Sequence, residues 1–135
     1  MTQVADKTFR LKIIAPERIF YDDDVTFVEY RTTEVDLGVY PGHIALTNIV
    51  APGIMKIHTP SGEIKEAALM EGFSEILADK ITILAEVVEW PEEIDVNRAK
   101  EAQIRAERRI KDADGDIDRA ELALKRAILR QKLAK

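Results

Sequence analysis

With 135 residues, of which 46% are hydrophobic and 33% charged, the chain has material for one modest core or a small domain with an appendage, not for two full domains. It contains no cysteine, which excludes a disulfide framework, thiol catalysis and thiolate metal ligation, and two histidines do not suffice for a His-rich metal site. The net charge of −5 hides a division, since residues 1–94 sum to −9 and residues 95–135 to +4, so that an acidic body carries a basic tail suited to an anionic partner.

The N-terminal Met1–Lys7 is polar and lacks the apolar region of a secretory leader, and no run approaches the ~18 apolar residues of a membrane span. A soluble, intracellular chain is expected. From Lys7 the pattern has a period near two, with Phe9, Leu11 and Ile13 alternating with Arg10 and Lys12, and this predicts a half-buried strand that ends at Pro16. Asp22-Asp23-Asp24 reads as a solvated turn, because three consecutive carboxylates lack the alternating oxygen spacing of a calcium loop. Strands are predicted over residues 25–31, 44–49, 54–59, 64–70, 73–77 and 81–88, separated by turn signals such as Pro41-Gly42, Pro52-Gly53 and Pro60-Ser61-Gly62. Short strands at this spacing, without βαβ alternation, indicate an antiparallel sandwich or flattened barrel. All the aromatic residues lie at or before Trp90, so the bulky core belongs to this first part.

After Trp90-Pro91 the period becomes helical, with Ala99, Ala102, Ala106, Ile110 and Ala113 on one face and Asp95 placed as N-cap behind Ile94 as a hydrophobic staple. Asp112-Ala113-Asp114-Gly115-Asp116 ends this helix, and a second follows with Ile117, Ala120, Leu124 and Ala127 on one face. So short a connection folds the two helices back antiparallel. Their seam is mostly alanine and buries little area, which predicts a hairpin able to open. The organisation expected is therefore a β domain over 1–90, a linker over 91–94 and a two-helix tail over 95–135.

If the turn centres on Gly115, Arg105 lies level with Arg126, Arg98 lies two turns from Arg105 on the same side, and Arg130 lies one turn beyond Arg126. Four guanidinium groups then converge on one side of the closed hairpin. They repel one another when alone, and a phosphate-bearing ligand between them favours closure. The alternative is a solvated face with helical partners such as Glu101–Arg105 and Glu121–Lys125. Catalysis is not indicated, for His43 beside Asp36 has no nucleophile in a recognisable elbow and no cofactor fingerprint is present. Nucleic-acid binding is disfavoured too, because carboxylates interrupt the basic groups of the tail and no aromatic residue there can stack on bases.

Four segments in order resemble the epsilon subunit of the F-type ATP synthase, in its bacterial, Bacillus-type form: Leu37-Gly38-Val39-Tyr40-Pro41-Gly42-His43-Ile44-Ala45-Leu46; Gly72-Phe73 with Ile81-Thr82-Ile83-Leu84-Ala85; Ile94-Asp95-Val96-Asn97-Arg98-Ala99; and Arg119-Ala120-Glu121-Leu122-Ala123-Leu124-Lys125-Arg126-Ala127. The resemblance covers nearly the whole chain. It implies a β sandwich of about 8–10 antiparallel strands followed by a C-terminal antiparallel α-helical hairpin. It also implies a non-catalytic central-stalk subunit that packs on the gamma subunit, rests on the c-ring through a loop holding Glu34, Asp36 and His43, and transmits rotation. The helices are then expected to inhibit ATP hydrolysis by extending toward the alpha and beta subunits, with Arg108, Arg109, Arg119, Lys125, Arg126 and Arg130 as the inhibitory contacts.

By the same resemblance ATP, with or without magnesium, is a regulatory ligand of the folded tail, held by Glu89, Ile94, Asp95, Arg98, Ala99, Arg105, Arg126 and Arg130. Two departures from the family pattern are Pro91 in the linker and Val35-Asp36 where a Gly-Glu step is frequent. The location implied is the cytoplasmic side of the bacterial cell membrane, reached through the complex. A free-standing ATP-sensing protein and a structural adaptor without ligand are the alternative readings.

Overall fold

A computed structural model of the chain describes residues 7–113 and 115–134. The polar Met1–Asp6 and Asp114 of the expected turn lie outside the described residues. The chain divides into two compact units, the first ending at Val88 and the second beginning at Glu89.

Ten strands are assigned among the described residues: β1 (Phe9–Ala15), β2 (Arg18–Val25), β3 (Phe27–Arg31), β4 (Asp36–Val39), β5 (Leu46–Val50), β6 (Gly53–His58), β7 (Ile64–Leu69), β8 (Gly72–Ile76), β9 (Lys80–Ala85) and the short β10 (Val88–Glu89). They form two five-stranded sheets, ordered β2-β1-β9-β8-β5 and β10-β7-β6-β3-β4. The alternation of β1 explains its place. Phe9, Leu11 and Ile13 are buried while Arg10 is exposed, and Leu11 and Ile13 meet Ile81 and Ile83 of β9. Met55, Ile57, Leu69, Met70 and Ile76 complete a core of large, fully buried side chains. Tyr30 of β3 crosses it, its hydroxyl donating to Ser74 Oγ of β8 at 2.8 Å. That bond joins one sheet to the other and satisfies two polar groups that would otherwise be costly to bury.

The sandwich departs from the sequence reading in several places, among them two unpredicted stretches of strand, residues 18–21 of β2 and the whole of β4. Asp22-Asp23-Asp24 is strand, not turn: the three residues pair with Lys12, Leu11 and Arg10 along the sheet edge, and Arg10 Nε donates to Asp22 Oδ1 at 2.8 Å. A row of carboxylates on an edge strand discourages pairing with other chains. The expected run 25–31 is two strands in different sheets. It switches at Thr26, whose N–H and hydroxyl both donate to the carbonyl of His58. Likewise 81–88 divides between β9 and β10, with Glu86 N–H and Val87 carbonyl bonded to Glu71 and Met70. Finally, β1 and β9 run parallel, whereas every other pairing with a described register is antiparallel.

The second unit starts with a 3-10 turn, Pro91–Glu93, in which Glu93 Oε1 accepts from Trp90 N–H at 2.8 Å. Helix α1 (Val96–Lys111) and helix α2 (Ile117–Leu133) follow. Asp95 and Asp116 are their N-caps. Asp95 Oδ1 accepts from the amides of Asn97 and Arg98, and Asp116 Oδ1 from that of Arg119, each at 3.1 Å. Between the helices Asp112 is the C-cap of α1, Ala113 has φ +50° and Gly115 φ +77°, so two left-handed residues reverse the chain. Ala113 is accordingly outside α1 and exposed, and the seam expected to include it ends one turn earlier.

Candidate functional site

The tail displays what an alanine seam does to a helix pair. Ala99, Ala106, Ala120 and Ala127 are buried, with Leu133 the one large apolar residue of either helix that is. Small side chains let the backbones approach but remove little apolar area from water, so direction must come from polar contacts. Two supply it. Gln131 Nε2 donates to Gln103 Oε1 and also to the Ala127 carbonyl, and Arg130 Nε donates to Glu89 Oε1 at 2.8 Å. The bonds run from the last turns of α2 to the middle of α1 and to Glu89 ahead of it, as an antiparallel pair requires. Reckoning from Gly115 sets Gln103 level with Ile128, and its long side chain reaches a turn further, to Gln131.

Of the residues expected to hold ATP, Glu89 and Arg130 are joined as an ion pair. Arg126, one turn before Arg130, is half-buried, and burial, followed by the like charge of Arg130, lowers its guanidinium pKa from the ordinary value. A phosphate at this spot relieves both penalties. Arg98 and Arg105 are exposed on α1. Ile94 and Ala99 are buried on either side of the Asp95 cap. Because Asp95 already accepts from the first free amides of α1, that helix start offers no vacant donors at Asn97 and Arg98. Gln103 and Gln131 were not singled out by sequence. The available signal was two of the chain's three glutamines on helices otherwise built of charge and alanine.

Arg108, Arg109, Arg119 and Lys125 are exposed, while Arg126 and Arg130 are half-buried. Arg108, Arg109 and Lys111 occupy the last turn of α1, where positive charge complements the helix dipole.

In the sandwich, Glu34 lies in a turn fastened by the buried Thr32, whose Oγ1 donates to the Val35 carbonyl at 2.7 Å and accepts from the Glu34 and Val35 amides. Asp36 Oδ1 accepts from Arg31 Nε at 2.9 Å, and His43 Nδ1 lies 2.8 Å from the Ile44 carbonyl. Val35 and Ile44 are exposed beside these polar groups, Ile44 to 82%. Thr32 was missed because its role depends on a local turn. A separate open groove on the first sheet is lined by Ile14, Ile49, Phe73 and Leu84, with Glu71 and Glu86 among its walls. Gly72 in its floor has no room for a Cβ, which would collide with the Leu84 carbonyl.

No group of His, Asp or Glu able to hold a metal ion occurs among the described residues, and none of their helices is long and apolar enough to cross a membrane.

The chain is thus a β sandwich followed in sequence by a capped helical pair. Residues 8–91 match the family model for the beta-sandwich domain of the ATP synthase Delta/Epsilon chain, and residues 92–135 match its long alpha-helix domain. An ATP synthase epsilon chain from Clostridium novyi is 42% identical over 125 residues, covering 92% of this chain and 95% of the relative. One from Bacillus velezensis is 40% identical over 130 residues, covering 95% and 98%. Among solved structures, a chain of the Euglena gracilis mitochondrial ATP synthase superposes with a TM-score of 0.77 at 22% identity, over 87% of this chain and 76% of that one, a likeness of fold. The chain belongs to the ATP synthase epsilon chain family, whose members are non-catalytic stalk subunits.

Proposed function

We propose that this subunit couples rotation between gamma, the c-ring and the catalytic head, and that its helical pair inhibits ATP hydrolysis when it opens and is kept from doing so by ATP when closed. The observation that carries the reading is the half-buried Arg126 set one turn from Arg130 on a helix pair with so thin an apolar seam. A bound phosphate neutralises both guanidinium groups and adds to the closed form what the seam lacks. ATP, alone or with magnesium, is the proposed ligand. Arg126 and Arg130 hold phosphate, with Arg98 and Arg105 joining from α1. Ile94 and Ala99 supply apolar contact, and Glu89 and Asp95 receive polar groups of the adenine or order the arginines. In taking phosphate, Arg130 exchanges the carboxylate of Glu89 for a more highly charged partner.

The open form presents Arg108, Arg109, Arg119, Lys125, Arg126 and Arg130 to an acidic surface of the alpha and beta subunits. The loop of Glu34, Asp36 and His43 meets the c-ring with a polar rim around exposed Val35 and Ile44, and the groove of Ile49, Phe73 and Leu84 receives gamma. Such contacts give a peripheral location on the cytoplasmic side of the bacterial membrane.

Addition to a reconstituted alpha–beta–gamma complex tests the proposal. The full chain is expected to slow ATP hydrolysis, increasingly so at low ionic strength, and a chain ending at Glu93 to leave it unchanged. Equal rates sink the inhibitory reading. Calorimetric titration with ATP–magnesium tests the site, with heat expected from the full chain and much less from Arg126→Ala. A free-standing ATP sensor, by contrast, gives that heat without any effect on the complex.

A further inference from the structure

The closed tail holds a charge pair whose position gives it leverage. Glu89 precedes the 3-10 turn and α1, Arg130 lies in the last turn of α2, and the two are 41 residues apart in the chain. Their contact at 2.8 Å therefore exists only while α2 lies back along α1. Both side chains are 27% exposed, so the pair is partly withdrawn from water and less weakened by solvent than a pair on the open surface. Next to it Gln131 donates to Gln103 while anchored to the carbonyl of buried Ala127. Adjoining residues thus fasten the end of α2 at two points, one ionic and one neutral, beside a seam that is weak by its own area.

We infer that Glu89–Arg130 is a latch that keeps the hairpin shut in the absence of nucleotide, with the Gln103–Gln131 bond as its neutral support. The inference rests on the reading of the tail as a mobile element. Closure in this chain then has two sources, one built in and one supplied by ATP, and loss of nucleotide alone does not release the tail fully.

Amide hydrogen exchange on the full chain without nucleotide provides the test, in a cycle of Glu89→Gln, Arg130→Gln and the double variant. Each single variant is expected to exchange roughly fivefold faster across residues 96–133, with strands 9–85 unchanged and the double variant no faster than the quicker single. Unchanged exchange in the singles, strictly additive losses in the double, or a loss shared by the strands overturns the latch. ATP–magnesium added to the wild type separates the two proposals: no added protection removes the nucleotide site and leaves the latch, whereas protection by ATP with unaltered singles removes the latch and leaves the site.

Discussion

The two units solve the problem of burial in opposite ways. In the sandwich, Leu11, Ile13, Met55, Ile57, Leu69, Ile76, Ile81 and Ile83 are all essentially inaccessible and interlock across two sheets. In the tail, four buried alanines form the seam and polar groups at its ends set the alignment. Area holds the first unit, so its geometry is insensitive to any one surface contact. The second depends on a few identifiable bonds, and a few bonds are what a ligand can replace. Side-chain volume thus divides the chain into one unit held by buried area and one aligned by polar bonds.

The largest break in this contrast is expected from Ile83→Ala. It leaves a cavity in the sandwich core and costs about 2–5 kcal/mol, read as a lower urea midpoint. Tyr30→Phe is smaller, about 1 kcal/mol near neutral pH, because it removes one inter-sheet hydrogen bond while keeping the ring. It carries a pH signature. Burial raises the Tyr30 pKa, with the Ser74 bond acting the other way, so the unfolded chain ionises first. Stability from the neutral hydroxyl is present below the ordinary tyrosine pKa of about 10 and is lost as pH rises through the higher folded value, and Tyr30→Phe should flatten that alkaline limb.

For the tail, Asp95→Ala should cost about 1 kcal/mol of helix stability through loss of the two capping bonds, read as faster amide exchange at the start of α1 with the sandwich unaffected. Equal loss of protection in both units would contradict their separate modes of stabilisation. Least effect is expected from Arg10→Gln, whose pairs with Asp22 and Asp24 are solvent-exposed, and its urea midpoint should match the wild type.

Sequence made the tail more legible than the sandwich. Asp95, the alanine face and the reversal near Gly115 are local signals, and all three appear, with the face one turn shorter than expected. The strands were legible as strands wherever alternation is undisturbed, as in Phe9–Ala15. Alternation carries no mark of which sheet a strand joins, so the crossings at Thr26 and between Ala85 and Val88 were invisible. The carboxylates of β2 misled because their charge suggested solvent, and an edge strand meets solvent too. Of the candidate site, Arg126 and Arg130 were legible from helical spacing, whereas the Glu89–Arg130 pair needed the third dimension. Thr32 was missed for a different reason, since its hydroxyl bonds only to the Glu34 and Val35 backbone and nothing in the sequence marks that turn.

The parallel pairing of β1 with β9 bears on how the molecule comes into being. Leu11 meets Ile81 only after nearly the whole sandwich has been synthesised, and an early strand must wait for a late one before the first sheet can close. Such distant pairing is slow, whereas two adjacent helices joined by a short reversal find each other in a small fraction of that time. The sandwich is therefore assembled slowly. The helical pair, built from contacts close in sequence, forms on a far shorter timescale.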